Sequence, residues 1–359
     1  MAHRLPDHMP ILDARVAREG APGVYAEREL KAPIDLCDAR GNLNPEAVGW
    51  SRQPLVRANL SGHPLRKKRW NFWNWIEPGF VFSITMAELD YASLFGTFFI
   101  DFETGEHSTG TWLGRPGRFD LPEHEPRSIA HHAKTIDYEN VVEPATRRVR
   151  FRATPQRGAE LEAEFSVEIP DGQESLNVVV PWTERRFQLN SKHNTLPTSG
   201  HIRVGERTYA LDPQRCHAVQ DWGRGVWPRR SFWNWGVCTG LQDGRRIGVN
   251  VGAKWTGATG SNENGITLDG RLHKVMEDLD WVYEPTDDAS AWRVRSLHSD
   301  AIDLTMSPVF PHRSHTNVGI VSSGGVCCFG RWTGRVRAGD ETIEVRGLPG
   351  WAEEFSHRW

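Results

Sequence analysis

The most constraining feature of this sequence is strict period-two alternation of apolar and charged residues. Leu161, Ala163, Phe165, Val167 and Ile169 alternate with Glu160, Glu162, Glu164, Ser166 and Glu168. Val149, Phe151 and Ala153 alternate with Arg148, Arg150 and Arg152, and Ile302, Leu304 and Met306 with Asp303 and Thr305. Successive side chains on a strand point to opposite faces, so this pattern predicts strands with one wet face. Helical periodicity is scarce; a short helix is expected only around Ala26–Lys31. Thirty-four glycines and 22 prolines punctuate the runs, as at Pro170-Asp171-Gly172 and Asp269-Gly270. The pattern predicts an all-β protein of antiparallel barrels or sandwiches.

A repeat divides the chain. Phe72-Trp73-Asn74-Trp75 recurs as Phe232-Trp233-Asn234-Trp235, in each case after basic residues and before a turn and another apolar strand. This predicts internal duplication, with an N-terminal extension over 1–50, a first domain over 51–197 and a second over 198–359. A chain of 359 residues suits two domains and needs no disulfide or metal to hold a core.

Several function classes are disfavoured. With 43 Lys and Arg against 46 Asp and Glu, the chain lacks the basic excess of a nucleic-acid binder. The run Arg66–Arg69 reads as a solvated strand edge. Five cysteines without a Cys-x-x-Cys pair suggest neither disulfides nor zinc. Of the 15 histidines, His131-His132 are adjacent and would face opposite ways on a strand, so no metal site or cofactor is expected. No dinucleotide, P-loop or nucleophile-elbow motif occurs. Without an apolar leader or an apolar run of 18 residues, a soluble, cytoplasmic protein with no membrane segment is expected. No sequence feature specifies an oligomeric state.

Sixteen tryptophans against five tyrosines suggest large cores, an aromatic-lined pocket, or both. They are densest in Gln220–Trp235, where Asp221 lies among Trp222, Trp227, Trp233 and Trp235 with Arg224, Arg229 and Arg230. Phe232 and Asn234 share one strand face, Trp233 and Trp235 the other. Two readings stand. In one, Asp221 is a general acid or base in an aromatic cavity, its pKa raised by low polarity. In the other, Asp221 pairs with Arg224 or Arg229 and the tryptophans are core. The segment Asn262–Gly270, after Trp255, either projects Glu263 and Asn264 into a pocket mouth or is merely a hairpin. Asn250, inside an apolar strand, is a further pocket candidate.

The Leu-Pro-Thr-Ser-Gly step, Asp-Trp-Gly-Arg-Gly-Val-Trp-Pro and the later Asn-Glu-Asn-Gly…Asp-Gly-Arg-Leu-His-Lys resemble the family called domain of unknown function 2804, from about Pro54 to Glu354. More distantly, the two-half organisation resembles the lipocalin-like superfamily of carotenoid hydratases, tocopherol cyclases and lipocalin-type Diels–Alderases. That resemblance implies two tandem lipocalin-like barrels with an aromatic cavity for an apolar ligand, and matches Asp221 to the carboxylate that protonates an alkene. The favoured expectation is a protein binding a hydrophobic isoprenoid-, polyketide- or lipid-like small molecule, with acid-catalysed hydration, isomerisation or cyclisation. Asp221, Glu263 and His217 are the candidate catalytic residues. Trp222, Arg224, Trp227, Arg230, Trp233, Asn234, Trp235, Asn250, Trp255 and Asn264, with Trp73 and Trp75 of the first half, are the candidate ligand contacts. A non-catalytic lipid carrier and a carbohydrate-active protein using Asp221 and Glu263 are the alternatives.

Overall fold

The structure, a computed structural model, describes residues 23–284, 286–318 and 321–358. Strands dominate it. Before the first long strand lie β1 (Ile34–Asp35), β2 (Trp50–Ser51) and β3 (Val56–Arg57). Then come β4 (Lys67–Ile76), β5 (Phe80–Glu88), β6 (Ser93–Asp101), β7 (His107–Gly114), β8 (Ile129–Ala133), β9 (Ile136–Val142), β10 (Thr146–Ala153) and β11 (Leu161–Glu168). They are followed by β12 (Leu176–Thr183), β13 (Arg186–Val204), β14 (Arg207–Leu211) and β15 (His217–Val226). The rest are β16 (Arg230–Gln242), β17 (Arg245–Ala253), β18 (Gly265–Leu268), β19 (Arg271–Lys274), β20 (Leu279–Val282), β21 (Trp292–Ser296), β22 (Ile302–Val318), β23 (Val321–Ala338) and β24 (Glu341–Arg358). One 3-10 turn, Pro45–Ala47, is capped by the Asn44 side chain accepting from the Glu46 backbone N–H.

The strands form two large antiparallel sheets. The first runs β7-β6-β5-β4-β15-β13-β11-β10-β9-β8, the second β19-β18-β17-β16-β24-β23-β22-β21-β20. The orders correspond: a four-strand meander begins with the Phe-Trp-Asn-Trp strand, and the last strand of each half returns to lie beside it. Both sheets curl. Phe95 on β6 stacks on Phe151 on β10 with centroids 6.2 Å apart, although six strand spacings would separate them by roughly 29 Å in a flat sheet. In the second half Gly236 on β16 lies against Trp281 on β20 in the same way; a Cβ there would come within 3.1 Å of the indole. Each sheet therefore encloses its own core, and two further apolar clusters lie between the sheets.

Three expectations change. The chain around Ala26–Lys31 is extended, not helical, and Glu29 bridges in parallel to Trp50. Lys68, in the basic run, is buried, donating to the Leu89 carbonyl and lying 4.4 Å from the Tyr91 ring centroid. Strand pairing also moves the changeover between halves: β14 and β15, beyond residue 197, belong to the first sheet, and the second begins at Arg230. The reason is that β15 must return to β4 to complete the first sheet, as β24 returns to β16. Among the described residues no helix is long and apolar enough to cross a membrane.

Candidate functional site between the sheets

The site is built from a run of polar residues on one face of β13. Gln188, Asn190 and Lys192 alternate with Phe187 and Leu189, so the polar row faces one way and the apolar row the other. Across the strand pair, Gln188 meets Gly225, Asn190 meets Gly223 and Lys192 meets Asp221. On the far side of β15, Gly223 meets Trp70 and Asp221 meets Phe72. The glycines have a steric purpose: a Cβ at 223 would lie 2.1 Å from the Trp70 ring. Without one, the indole lies over the strand and donates from Nε1 to Asp221 Oδ2 at 3.0 Å.

Lys192 is the centre of charge. Its Nζ lies 3.1 Å from Asp221 Oδ2 and 3.2 Å from Glu263 Oε2, with all three side chains almost wholly withdrawn from solvent. The ammonium also sits 3.8 Å from the Trp235 ring centroid, a cation–π contact strengthened by burial. Glu263 reaches the site from the turn before β18, where Trp255 Nε1 donates to its Oε1 at 2.6 Å. A side chain at Gly252 would collide with that carboxylate. Asn250 braces the arrangement: it accepts from Trp235 Nε1 at 2.8 Å and donates to the Glu263 carbonyl at 2.6 Å.

A third carboxyl comes from β24. Glu353 pairs across the sheet with Trp235 and accepts from Trp233 Nε1 at 2.7 Å. Trp70, Trp182, Trp227, Trp233 and Trp255 make the apolar wall beside these charges. Trp227 stacks near Trp255 with centroids 5.8 Å apart and donates to Gln188 Oε1 at 2.6 Å.

The electrostatics follow from one lysine serving three acids. Burial works against the Lys192 charge, but the Asp221 and Glu263 anions outweigh it and hold its pKa above the ordinary value. Burial raises Glu263, and the Asp221 charge adds to this against the pull of Lys192. Burial pushes Glu353 up to about 7, against the hydrogen bond from Trp233 and the attraction of Lys192. A buried cluster of this composition keeps a proton on a carboxyl near neutral pH. Asp221 Oδ1 is buried and makes no hydrogen bond within the chain.

The expected site is therefore partly assembled. Asp221, Glu263, Trp227, Trp233, Trp235, Asn250 and Trp255 converge between the sheets. Asp221 pairs with neither Arg224 nor Arg229: its partner is Lys192, whose Nζ lies 3.1 Å from Oδ2. His217, also expected to be catalytic, lies four residues along β15, roughly 13 Å away. Burial and the nearby Arg246 pull it down to about 4, so it is neutral at pH 7. Trp222 and Arg224 face the other side of β15. There Arg224 lies 3.8 Å from the Trp222 ring centroid and donates to the Pro122, Trp70 and Gly223 carbonyls and to Asn71 Oδ1. Arg230 is exposed. Asn234 points into the second half, donating to Tyr283 Oη and the Glu353 carbonyl. Asn264 holds the loop, accepting from the Gly252 N–H and donating to the Glu277 carbonyl. Trp73 and Trp75 stack in the first core, away from the site. Within Asn262–Gly270, Glu263 turns toward Lys192 while Asn264 stays in the loop, and β18 and β19 form a hairpin through Asp269-Gly270.

Lys192, Glu353, Trp70, Trp182 and Gln188 were not anticipated. The alternating Gln-x-Asn-x-Lys row of β13 was the available signal for Lys192 and Gln188. Among the described residues no three His, Cys, Asp or Glu side chains form a metal-binding group.

Fold and site together define a class: an all-β protein of two curled sheets with a charged, tryptophan-walled site between them. The chain belongs to the family described as domain of unknown function (DUF2804), which it matches over residues 27–359. No curated protein matches the sequence. Among solved structures, kievitone hydratase from Nectria haematococca is similar at 9% identity and a TM-score of 0.48, over 94% of this chain and 98% of that one. CghA is similar at 11% identity and a TM-score of 0.40, over 93% of this chain and 97% of that one. At these levels neither similarity bears on activity.

Proposed function

We propose that the inter-sheet site binds a small, largely apolar molecule against its indole wall and transfers a proton to it, in a hydration, isomerisation or cyclisation. The observation that carries this reading is a buried lysine paired with two carboxyls, with a third carboxyl, Glu353, within reach of its charge, all walled by tryptophans. Glu353 is the acid, since a carboxyl with its pKa near the working pH suits proton donation. The carbocation so formed would lie near the Asp221 and Glu263 anions and the indole π faces, which stabilise positive charge. Lys192 holds Asp221 and Glu263 in place; Asp221 Oδ1 is free to orient water or take back a proton.

A second reading, a non-catalytic carrier of an apolar molecule, is favoured by the ion pair that locks Asp221 to Lys192. A glycosidase is disfavoured. Asp221 and Glu263 are close enough for a catalytic pair, each within 3.2 Å of one nitrogen, but that nitrogen occupies the space a glycosidic oxygen would need.

The test begins with organic extraction of protein purified from its native source and mass spectrometry of what is released. The released compound is then returned in excess to wild type and to Glu353→Gln. Conversion by wild type, lost in Glu353→Gln while binding persists, is expected. Full turnover by Glu353→Gln defeats the assignment of Glu353, and a compound bound but unchanged by wild type establishes the carrier.

A further inference from the structure

The row of side chains that builds the inter-sheet site continues beyond its acids. On β13, the face that carries Lys192, Asn190 and Gln188 ends in Arg186, which alternates with Phe187. Gln188 meets Gly225 on β15, and Gly225 meets Lys68 on β4, so this end of the face lies where β4 and β13 begin and β15 stops. Arg66 immediately precedes β4. Burial and the charges of Arg66 and Arg185 pull Arg186 below the ordinary arginine value, so three guanidiniums share this end. His63 lies with them: burial and the charges of Arg185, Arg186 and Lys67 pull it down, against its hydrogen bond to the Gly41 carbonyl.

Most of the other cations here are engaged. Lys67 Nζ lies 3.2 Å from Asp90 Oδ1, and Lys68 donates to the Leu89 carbonyl. Among the described residues, the Arg66 and Arg186 guanidiniums form no ion pair; Arg186 Nη1 donates to the Arg185 carbonyl. Both side chains are partly exposed, so an incoming molecule can reach them. Like charges held together repel, and an anion placed between them converts that repulsion to attraction. The chain before β4 is fixed in a strained form, with left-handed backbone at His63 and Leu65 (φ 43° and 64°). Lys67 Nζ donating to the Gly62 carbonyl at 2.7 Å, and His63 Nε2 to the Gly41 carbonyl at 3.0 Å, hold it there.

Indoles stand between the arginines and the acids. Trp70 is partly exposed, its ring centroid 5.7 Å from that of Trp227, which donates to Gln188. Arg186 and Lys192 lie roughly 20 Å apart along β13. We propose that the ligand of the inter-sheet site is an apolar chain or ring system ending in an anionic group, a phosphate or carboxylate, bound by Arg66 and Arg186. This rests on the reading of that site as one for an apolar molecule. The forked edge of a guanidinium matches the paired oxygens of such a group. The apolar body then lies along Trp70 and Trp227, with its far end toward Glu353.

The full chain is titrated calorimetrically with decyl phosphate, decanol and inorganic phosphate, the decyl compounds below the concentrations at which they aggregate. Decyl phosphate is expected to bind roughly tenfold or more tighter than decanol, as charge-assisted hydrogen bonds allow, and tighter than inorganic phosphate. The preference should narrow as salt is raised. Arg66→Gln with Arg186→Gln should remove it while decanol binds as before. Equal affinities for the two decyl compounds, or an unchanged preference in the folded double variant, would overturn the proposal and leave the apolar site standing. Inorganic phosphate binding as tightly as decyl phosphate would also overturn it, making the arginines a site for a free anion. Binding of neither decyl compound would remove the apolar site itself and this inference with it.

Discussion

The two Phe-Trp-Asn-Trp strands hold the same tetrapeptide at equivalent places in their sheets and turn it opposite ways. On β4, Trp73 and Trp75 face inward and stack at 5.8 Å with nearly parallel rings, and Trp75 Nε1 has no hydrogen-bond partner. On β16, Trp233 and Trp235 face the neighbouring sheet, and their N–H groups go to Glu353 and Asn250. Phe72, on the opposite face from Trp73, packs edge-on against Trp235 at 5.8 Å, so the outward side of one copy meets that of the other. One pair of indoles fills a core, while the other organises charge. A repeated motif thus marks equivalent strands without assigning equivalent work; the face turned toward the other sheet decides the role.

Truncating the two copies has the largest effects. Trp75→Ala should lower stability by about 3–5 kcal/mol, the usual cost of deleting a buried aromatic, while leaving Glu353 titration unchanged. Lys192→Met should cost a similar ~3–5 kcal/mol, because it strands buried carboxylates without their counter-charge, and adding Asp221→Asn should restore much of the loss. Denaturant midpoints measure both. A loss under about 1 kcal/mol in Lys192→Met would mean that the ion pairs do not organise the site.

The next effect is pH-dependent. Burial raises Glu353 from the ordinary glutamate value of 4.5 to about 7 on folding, so between those values the native state binds the extra proton. Its contribution therefore declines as pH rises from about 4.5 to 7 and is level beyond, on the order of 3 kcal/mol in all. Subtracting the stability–pH curve of Glu353→Gln from that of wild type should isolate this decline; parallel curves would contradict it. The smallest effect sharpens the contrast between the copies. Trp233→Phe removes the indole donor that opposes Glu353's upward shift, so the Glu353 pKa should rise further, whereas Trp73→Phe should leave it where it is.

Much of the fold was legible because alternation and turn residues are local signals. The repeat located β4 and β16, and the shared face of Trp233 and Trp235 followed from the strand period. Whether that face looked inward or toward the other sheet did not follow, since burial covers both faces of these strands. Asp221, Glu263, Asn250 and Trp255 were legible as polar or aromatic residues in unusual company. Lys192 and Glu353 were not, because their meaning depends on pairing across the sheets, between residues 192, 221, 263 and 353. Trp222 and Arg224 were misplaced for a related reason: proximity to Asp221 in sequence puts immediate neighbours on the opposite face of the strand.

The proposed chemistry depends on Glu353 holding a proton beside the indole wall near neutral pH. Carbon-13 NMR of glutamate side chains, with Glu353 assigned from Glu353→Gln, tests it most directly. A carboxyl titrating near 7 that disappears in the variant is expected. A Glu353 carboxyl titrating near the ordinary value of 4.5 would contradict this and leave the site without its acid.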